Sequence, residues 1–293
     1  MISKERLNPL ESIFELSKQQ YFLLLFSIQK GKNMNPVKII FFDIDGTLLK
    51  LGVTTLSPKT QYALDQLHQK GIPYYACSGR PPYILPKFNF DGWCCYNGAF
   101  CQQKDGTVLF SRTLDPEQLK IMLANAEKME KKVVLANGDD MAKNGEDADL
   151  QDYIDIAKVH VPVDPQFKDR LKQPVYQAMV AIRTDQLDEL LAGTRDLAGI
   201  GWYPKALDIV HPLTDKGEAI GVVLDKLNLK PEDVLAFGDG ANDIAMLKAA
   251  GTGVAMGNAL PEVKAIADDV CPSVDEDGVY QYLVDHQIID PIS

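Results

Sequence analysis

The sequence lacks the features that mark disulfide-stabilised, zinc-binding and nucleic-acid-binding proteins. It has five cysteines in 293 residues, an odd number with no Cys-x-x-Cys pair, so neither a disulfide framework nor a zinc site is indicated. Its 41 acidic side chains outnumber 30 basic ones, which gives a formal net charge of −11. Because nucleic acids and anionic membranes bind clustered Lys and Arg, we expect neither as a partner.

No apolar run is long enough to span a bilayer. The run at residues 21–28 (YFLLLFSI) falls far short of the roughly 20 residues required, and it lacks the flanks of a signal peptide. Met34 then begins MNPVKIIFFDIDGTLL, which is typical of a natural start. We expect residues 1–33 to be an N-terminal extension outside the fold, with a peripheral amphipathic helix as the alternative. Reduced cysteines fit a cytoplasmic protein.

Short apolar runs alternate with helical segments at both ends of the chain. Residues 38–42 (KIIFF) are typical of a buried parallel strand, Ser57-Pro58 of a helix start, and residues 72–77 of the next strand. Strand, helix and strand in this order predict a right-handed βαβ unit. The C-terminal third of the chain repeats this alternation of strands and helices. We therefore predict an α/β fold with a doubly wound, parallel-sheet (Rossmann-like) core.

The middle of the chain has a different pattern, which predicts an inserted α+β cap domain. Its expected helices are at residues 115–131 and 185–191, and its expected strands are at 133–137, 176–183 and 202–210. This block of roughly a hundred residues has the size of a second domain. The predicted division is residues 1–33 for the extension, 34–113 and 212–293 for the core, and 114–211 for the cap.

Two aspartates directly follow the first predicted strand. Asp43 and Asp45 lie in the sequence DIDGT, and ligands of open α/β sheets bind just past the carboxyl ends of the strands. Two carboxylates so close together repel each other, and a hard cation such as Mg²⁺ relieves that repulsion. The alternative is a plain Asp-Gly turn with a solvated acidic neighbour.

A second acidic loop, GDGAND at residues 238–243, follows the predicted strand at 233–237. In a doubly wound sheet this strand can lie beside the first, so Asp239 and Asp243 could complete an oxygen-rich Mg²⁺ site. The alternative is a glycine-rich turn with Asn242 as a helix N-cap. Two such clusters, each after a buried strand, together favour the functional interpretation.

Two further positions could meet the charge of a phosphate. Ser78-Gly79-Arg80 follows the second predicted strand, where a hydroxyl and free backbone N–H groups form a small anion cradle. Lys216 begins a predicted helix, where its ammonium could act as a point charge. Taken alone, a Ser-Gly-Arg sequence is more often a simple turn, and an isolated lysine such as Lys216 is more often a solvated surface residue.

Taken together, these stretches resemble the haloacid dehalogenase-like hydrolases. The matching stretches, in order, are FFDIDGTLL, CSGR, the lysine of TDKGEAI, and FGDGANDIAML with GVAMGNA. The resemblance runs from about residue 36 to residue 284 and is greatest to the Cof-type, type IIB branch, whose α+β cap follows the second motif. It implies a Mg²⁺-dependent phosphatase that hydrolyses small phosphate monoesters, such as sugar phosphates.

The resemblance also implies which residues carry the chemistry. Asp43 would be the nucleophile that forms an aspartyl-phosphate, and Asp45 the general acid/base. Mg²⁺ would bind the Asp43 side chain, the Asp45 backbone carbonyl and Asp239, with Asp243 in support.

The remaining motif residues would hold the substrate. Ser78, Gly79 and Lys216 would bind the phosphoryl oxygens, Asn242 would help to place them, and Asn97 of an Asn-Gly-Ala sequence would lie near the cap. The family commonly has Thr in place of Ser78. The five residues before Lys216, HPLTD, also differ from the usual family sequence.

Two alternatives to a phosphatase remain open. A phosphomutase would use the same aspartate and depend on a bisphosphate activator, whereas a phospho-accepting sensor would show little turnover. Asp45 and the long insertion argue against the sensor. We expect a small phosphorylated metabolite as the partner and a monomer or weak dimer in solution. Cap side chains should set specificity, with Asp140, Lys143, Tyr176 and Trp202 as candidates.

Overall fold

The computed structural model describes residues 36–156 and 158–292. The predicted extension at residues 1–33 lies outside the described residues. The strands are β1 (Ile39–Phe42), β2 (Tyr74–Cys77), β3 (Gly92–Cys95), β4 (Phe100–Gln103), β5 (Val108–Ser111), β6 (Val133–Asn137), β7 (Met141–Lys143), β8 (Val175–Val180), β9 (Ala198–Tyr203), β10 (Ala206–Val210), β11 (Val234–Gly238), β12 (Thr252–Ala255) and β13 (Asp269–Val270). The α-helices are α1 (Pro58–Gln69), α2 (Pro116–Lys128), α3 (Ala148–Ile156), α4 (Leu187–Leu190), α5 (Lys216–Leu227), α6 (Ile244–Ala249), α7 (Pro261–Ile266) and α8 (Gly278–Asp285). Within this described part, no helix has both the length and the hydrophobicity to cross a bilayer.

The larger sheet has the predicted doubly wound order. Among the described residues its strands run β13-β12-β11-β1-β2-β3-β4-β5. The pairs from β13 through β3 are parallel, and β4 and β5 add an antiparallel edge. All four residues of β1 are fully buried, as expected for a central strand of continuous apolar residues. This confirms the α/β, Rossmann-like core, to which the structure adds an antiparallel hairpin at one edge.

The helix after β1 begins and ends at the residues that the sequence predicts. The Ser57 hydroxyl accepts a hydrogen bond from the Thr60 backbone N–H at 3.0 Å, and Pro58 occupies the first turn. Gly71 follows the helix with a φ of +71°, which glycine adopts without a Cβ clash. The chain therefore turns back into β2 beside β1.

A side-chain N-cap also fixes the start of helix α5. The Asp215 carboxylate accepts a hydrogen bond from the Glu218 backbone N–H at 2.7 Å, which makes Lys216 the first helical residue. At Gly217 a Cβ would lie 2.5 Å from the Ala245 carbonyl oxygen, so only glycine permits this close approach of α5 to α6. The start of α5 is thereby held near the loop that precedes α6.

The second sheet belongs to the inserted α+β cap. Its strands run β7-β6-β8-β10-β9, and every pair is antiparallel. Helix α2 shares a separate hydrophobic cluster with this sheet, in which Leu119 and Met122 pack with Val133, Leu135 and Ala178. The structure corrects some bounds: β8 ends at Val180 rather than residue 183, and the sequence patterns did not predict β7 or α3.

Candidate active site

The two acidic loops meet at the carboxyl ends of neighbouring strands. β1 and β11 pair in parallel with Phe42 opposite Phe237, and the Asp43 backbone N–H donates to the Phe237 carbonyl at 3.0 Å. Carboxylate oxygens of Asp43, Asp239 and Asp243 all lie within 4.8 Å of one another. The structure therefore brings Asp43 together with two aspartates that follow it about two hundred positions later in the chain.

Glycine is required where the two loops touch. Gly46 has a φ of +95°, and a Cβ there would lie 2.1 Å from Oδ2 of Asp239. The same Asp239 oxygen accepts a hydrogen bond at 3.1 Å from Asn258, whose amide also donates to the Gly46 carbonyl. The first loop thus packs its backbone directly against the Asp239 carboxylate.

Lys216 is the buried counter-charge of this cluster. Its side chain is fully buried, and Nζ donates to Oδ1 of Asp43 and to Oδ1 of Asp243, each at 2.6 Å. Although burial lowers the pKa of Lys216, the carboxylates of Asp243 and Asp43 outweigh this effect and raise it. The lysine is therefore a permanent ammonium, placed beside the proposed nucleophile.

One ammonium does not balance three carboxylates. Burial raises the pKa of Asp43 well above its ordinary value, and the Asp243 charge adds to this effect while Lys216 opposes it. Burial and Asp243 likewise raise the pKa of Asp239 to about 7. A cluster of oxygen ligands with excess negative charge fits a hard divalent cation such as Mg²⁺.

Asp243 organises the second loop. Its Oδ2 accepts from the backbone N–H groups of Asp239 and Gly240, both at 2.9 Å, while its Oδ1 accepts from Lys216. The suggestion that Asn242 is a helix N-cap is wrong, because α6 begins at Ile244 and Asn242 makes no cap bond. Its Nδ2 instead donates to Oδ1 of Asn97 at 3.1 Å.

Arg80 holds Asp45. The guanidinium donates to both carboxylate oxygens of Asp45, each bond 2.7 Å long, in a bidentate pair. The Ser78 hydroxyl, which is buried, accepts from the Arg80 backbone N–H at 3.2 Å. Ser78-Gly79-Arg80 was predicted as an anion cradle or a simple turn, and no local pattern indicates that Arg80 has a carboxylate partner 35 positions earlier.

A cavity of about 280 Å³ opens over these residues. The predicted site residues that line it are Asp43, Asp45, Ser78, Gly79, Asp239 and Asn242. Lys216 is not part of the lining, because it lies beneath Asp43 with no exposed surface. Cap residues complete the wall, so the cavity lies between the two sheets.

Three of the four suggested specificity residues in the cap, Asp140, Lys143 and Tyr176, do not line this cavity. Asp140 forms an ion pair with Arg170, and Lys143 bonds to Glu146 and Gln151 at 2.7 and 2.8 Å. The Tyr176 ring stacks on another tyrosine ring, 5.0 Å between centroids. The Trp202 side chain lies outside what the structure describes.

A buried polar network, missed by the sequence analysis, joins the core to the cap. Asp208 of β10 accepts from the Tyr153 hydroxyl at 2.8 Å and from Nδ2 of Asn97 at 3.0 Å. The same Asn97 amide lies 3.2 Å from Oε1 of Gln177 on β8. Burial raises the pKa of Asp208 to about 7, although both hydrogen bonds oppose the shift. The available signal was a single polar residue inside each of two apolar strands, VYQAMV and ALDIV.

Comparison with known proteins gives consistent matches. Residues 40–283 match the family model of haloacid dehalogenase-like hydrolases. The chain is 31% identical over 248 residues to YkrA of Bacillus subtilis, covering 83% of this chain and 95% of that one. It is 28% identical over 237 residues to an HMP-PP phosphatase of Cronobacter sakazakii, covering 76% and 85%. It also matches the solved structure of the subclass IIB sugar phosphatase BT4131 with a TM-score of 0.79 and 30% identity, covering 86% and 100%.

Proposed function

This chain belongs to the haloacid dehalogenase-like hydrolases and is a phosphoric monoester hydrolase, and we propose that it cleaves small phosphate monoesters through an aspartyl-phosphate on Asp43. The observation that carries the proposal is the cluster of three aspartates around the fully buried Lys216 at the ends of β1 and β11. Such a cluster is costly to bury unless it serves a charged ligand.

The residues present fit a Mg²⁺ ion. Side-chain oxygens of Asp43 and Asp239, with the backbone carbonyl of Asp45, would hold it, and Asp243 would orient the second loop in support. When bound, the ion neutralises charge on the phosphate. Because both Asp243 oxygens already accept hydrogen bonds, we assign this residue the supporting part.

The first chemical step uses Asp43 and Asp45. An oxygen of Asp43 attacks phosphorus as the bond from phosphorus to the alcohol oxygen breaks, and Asp45 gives its proton to that oxygen. Asp45 then takes a proton from water as the water attacks the aspartyl-phosphate, which releases inorganic phosphate and restores Asp43. Because Arg80 engages both Asp45 oxygens, one of these bonds must open for the proton to be carried.

The other motif residues would position the phosphoryl group. Ser78 and Gly79 present a hydroxyl and backbone N–H at the cavity wall, and Asn242 lies on the opposite loop. Lys216 fixes one oxygen of Asp43 at 2.6 Å, which limits the rotation of the attacking carboxylate. Phosphoryl transfer depends mainly on such positioning and on charge stabilisation.

We propose residues 114–211 as the cap and residues 34–113 with 212–293 as the core. Since the cavity lies between the two sheets, it suits a small phosphorylated metabolite. The five cysteines are free and buried, which suits a reducing compartment. We propose that the protein is cytoplasmic and that it is a monomer or weak dimer.

Phosphate release from p-nitrophenyl phosphate tests the proposal. The wild-type protein with Mg²⁺ should turn over many times, without a bisphosphate activator, and Asp43→Asn should not. Dependence on a bisphosphate would favour the phosphomutase, and a single phosphorylation without turnover would favour the sensor. Equal activity of wild type and Asp43→Asn would exclude the proposed nucleophile.

A further inference from the structure

The cavity has two chemically unlike ends. The core end carries the acidic loops and Arg80, where a phosphate would bind. The cap end is walled mainly by aliphatic and thioether side chains. These are Met141, Ile154, Ile156, Val159, Val161 and Met179. A substrate that fills the cavity must therefore present its alcohol part to an apolar wall.

Buried polar side chains interrupt this apolar wall. Gln177 and Asp208 both line the cavity, and each has only 1% of its surface exposed. The Asp208 oxygens accept from the Tyr153 hydroxyl and from Asn97. Buried polar groups at an apolar surface are costly unless they are hydrogen-bonded, so each remaining donor or acceptor matters for recognition.

The network determines which way the Gln177 amide faces. Asn97 turns Nδ2 towards Asp208, to which it donates, and its Oδ1 accepts from Nδ2 of Asn242. That same Nδ2 donates to Gln177 at 3.2 Å, so the oxygen of Gln177 faces Asn97. Nε2 of Gln177 is left as a donor, and no described residue accepts from it.

We infer that the cavity selects phosphate esters whose alcohol part is apolar and carries a hydrogen-bond acceptor that meets Nε2 of Gln177. The inference rests on the proposed function and narrows its substrate class. A carbonyl oxygen or an aromatic ring nitrogen supplies such an acceptor. A sugar, by contrast, would bury several hydroxyl groups against Met141, Met179 and their neighbours without partners. Gln177 is thus a specificity-determining residue.

Matched esters test this inference. Benzyl phosphate supplies an apolar alcohol part without an acceptor, and 3- and 4-pyridylmethyl phosphate each add one ring nitrogen as the acceptor. We expect kcat/KM for at least one pyridyl ester to exceed that for benzyl phosphate by about 5- to 100-fold, the range for satisfying one buried donor. Benzyl phosphate should in turn be a better substrate than glucose 6-phosphate.

The matched variants are Gln177→Met and Gln173→Met. Gln177→Met keeps the length of the side chain but removes the Nε2 donor, so the pyridyl-to-benzyl ratio should fall to about 1 or below. Gln173 is an exposed cap residue with the same side chain, and its variant should keep the wild-type ratio. Because both readouts are ratios within one protein preparation, a general loss of folded protein does not change them.

The possible results distinguish failure of the substrate inference from failure of the proposed phosphatase function. A wild-type preference for glucose 6-phosphate, no preference for either pyridyl ester, or a ratio unchanged in Gln177→Met would overturn the inference and leave the phosphatase assignment standing. Failure of every ester, p-nitrophenyl phosphate included, to release phosphate would overturn the proposed function and the inference with it.

Discussion

Replacing Lys216 with methionine should destabilise the fold in a manner that Mg²⁺ partly reverses. Methionine keeps the length and apolar stem of the side chain but removes its charge. The two 2.6 Å bonds from Nζ would be lost, and Asp43 and Asp243 would remain buried without their shared cation. The perturbation is therefore mainly electrostatic rather than a change of packing.

The expected magnitude follows from the burial of the cluster. Removal of one partner from a buried ion pair costs about 3–5 kcal/mol. For a protein of this size each kcal/mol shifts Tm by about 2–4 °C, which predicts a fall of roughly 6–20 °C in EDTA. Loss of Lys216 also raises the pKa of Asp43 further. A carboxyl with a raised folded-state pKa loses stability as pH rises through that value, so the fall in Tm should grow from pH 5 to pH 8.

Thermal unfolding of three proteins measures this effect. Lys226→Met is the control, because Lys226 is exposed on the same helix, and it should change Tm by no more than about 2 °C. Saturating Mg²⁺ should restore part of the loss in Lys216→Met, since a second cation then occupies the carboxylate cluster. A Lys216→Met protein as stable as the control in EDTA at pH 8 would refute this reasoning.

Three further predictions concern the metal, the acid/base and the cap network. Chelation with excess EDTA should abolish phosphate release and added Mg²⁺ should restore it, because Asp43 and Asp239 otherwise crowd negative charge against the phosphate; full activity in EDTA would contradict this. Asp45→Asn should lower kcat for p-nitrophenyl phosphate by about 10²- to 10⁴-fold, as steady-state kinetics can measure, and a rate equal to wild type would exclude the role. Asp208 has a raised pKa of about 7, so its ionisation should cost the wild type up to about 4 kcal/mol of unfolding free energy between pH 4 and 7. In Asp208→Asn this pH-dependent loss of unfolding free energy should disappear, as urea titrations at several pH values can measure. The same pH profile in the variant and the wild type would contradict the raised pKa of Asp208.

The core and its acidic loops could be predicted because their signals are local. The four apolar residues of β1 predict a buried strand, and Asp43 directly after them predicts a ligand at the strand end. Ser57 and Asp215 mark the starts of α1 and α5 by side chains that cap their own first turns. Each of these inferences depends on residues within a few positions of one another.

The cap network could not be predicted because its contacts are distant in the chain. Asn97 and Asp208 are 111 positions apart, and Asn97 and Gln177 are 80 apart. A lone polar residue in a short strand faces either the cavity or solvent, and only the packing of the two sheets decides which. The pairing of Arg80 with Asp45 had the same limitation, since nothing in Ser78-Gly79-Arg80 indicates a carboxylate partner.

The phosphorylation state of Asp43 tests the central claim most directly. Brief exposure to acetyl phosphate with Mg²⁺ supplies a good leaving group, so the first step needs little help from Asp45. Mass spectrometry should then detect one phosphate on Asp43 in the Asp45→Asn protein, where hydrolysis of the aspartyl-phosphate is slow. The Asp43→Asn protein should carry none. A phosphate adduct on Asp43→Asn, or one on Asp45→Asn located at any residue other than Asp43, would contradict the account.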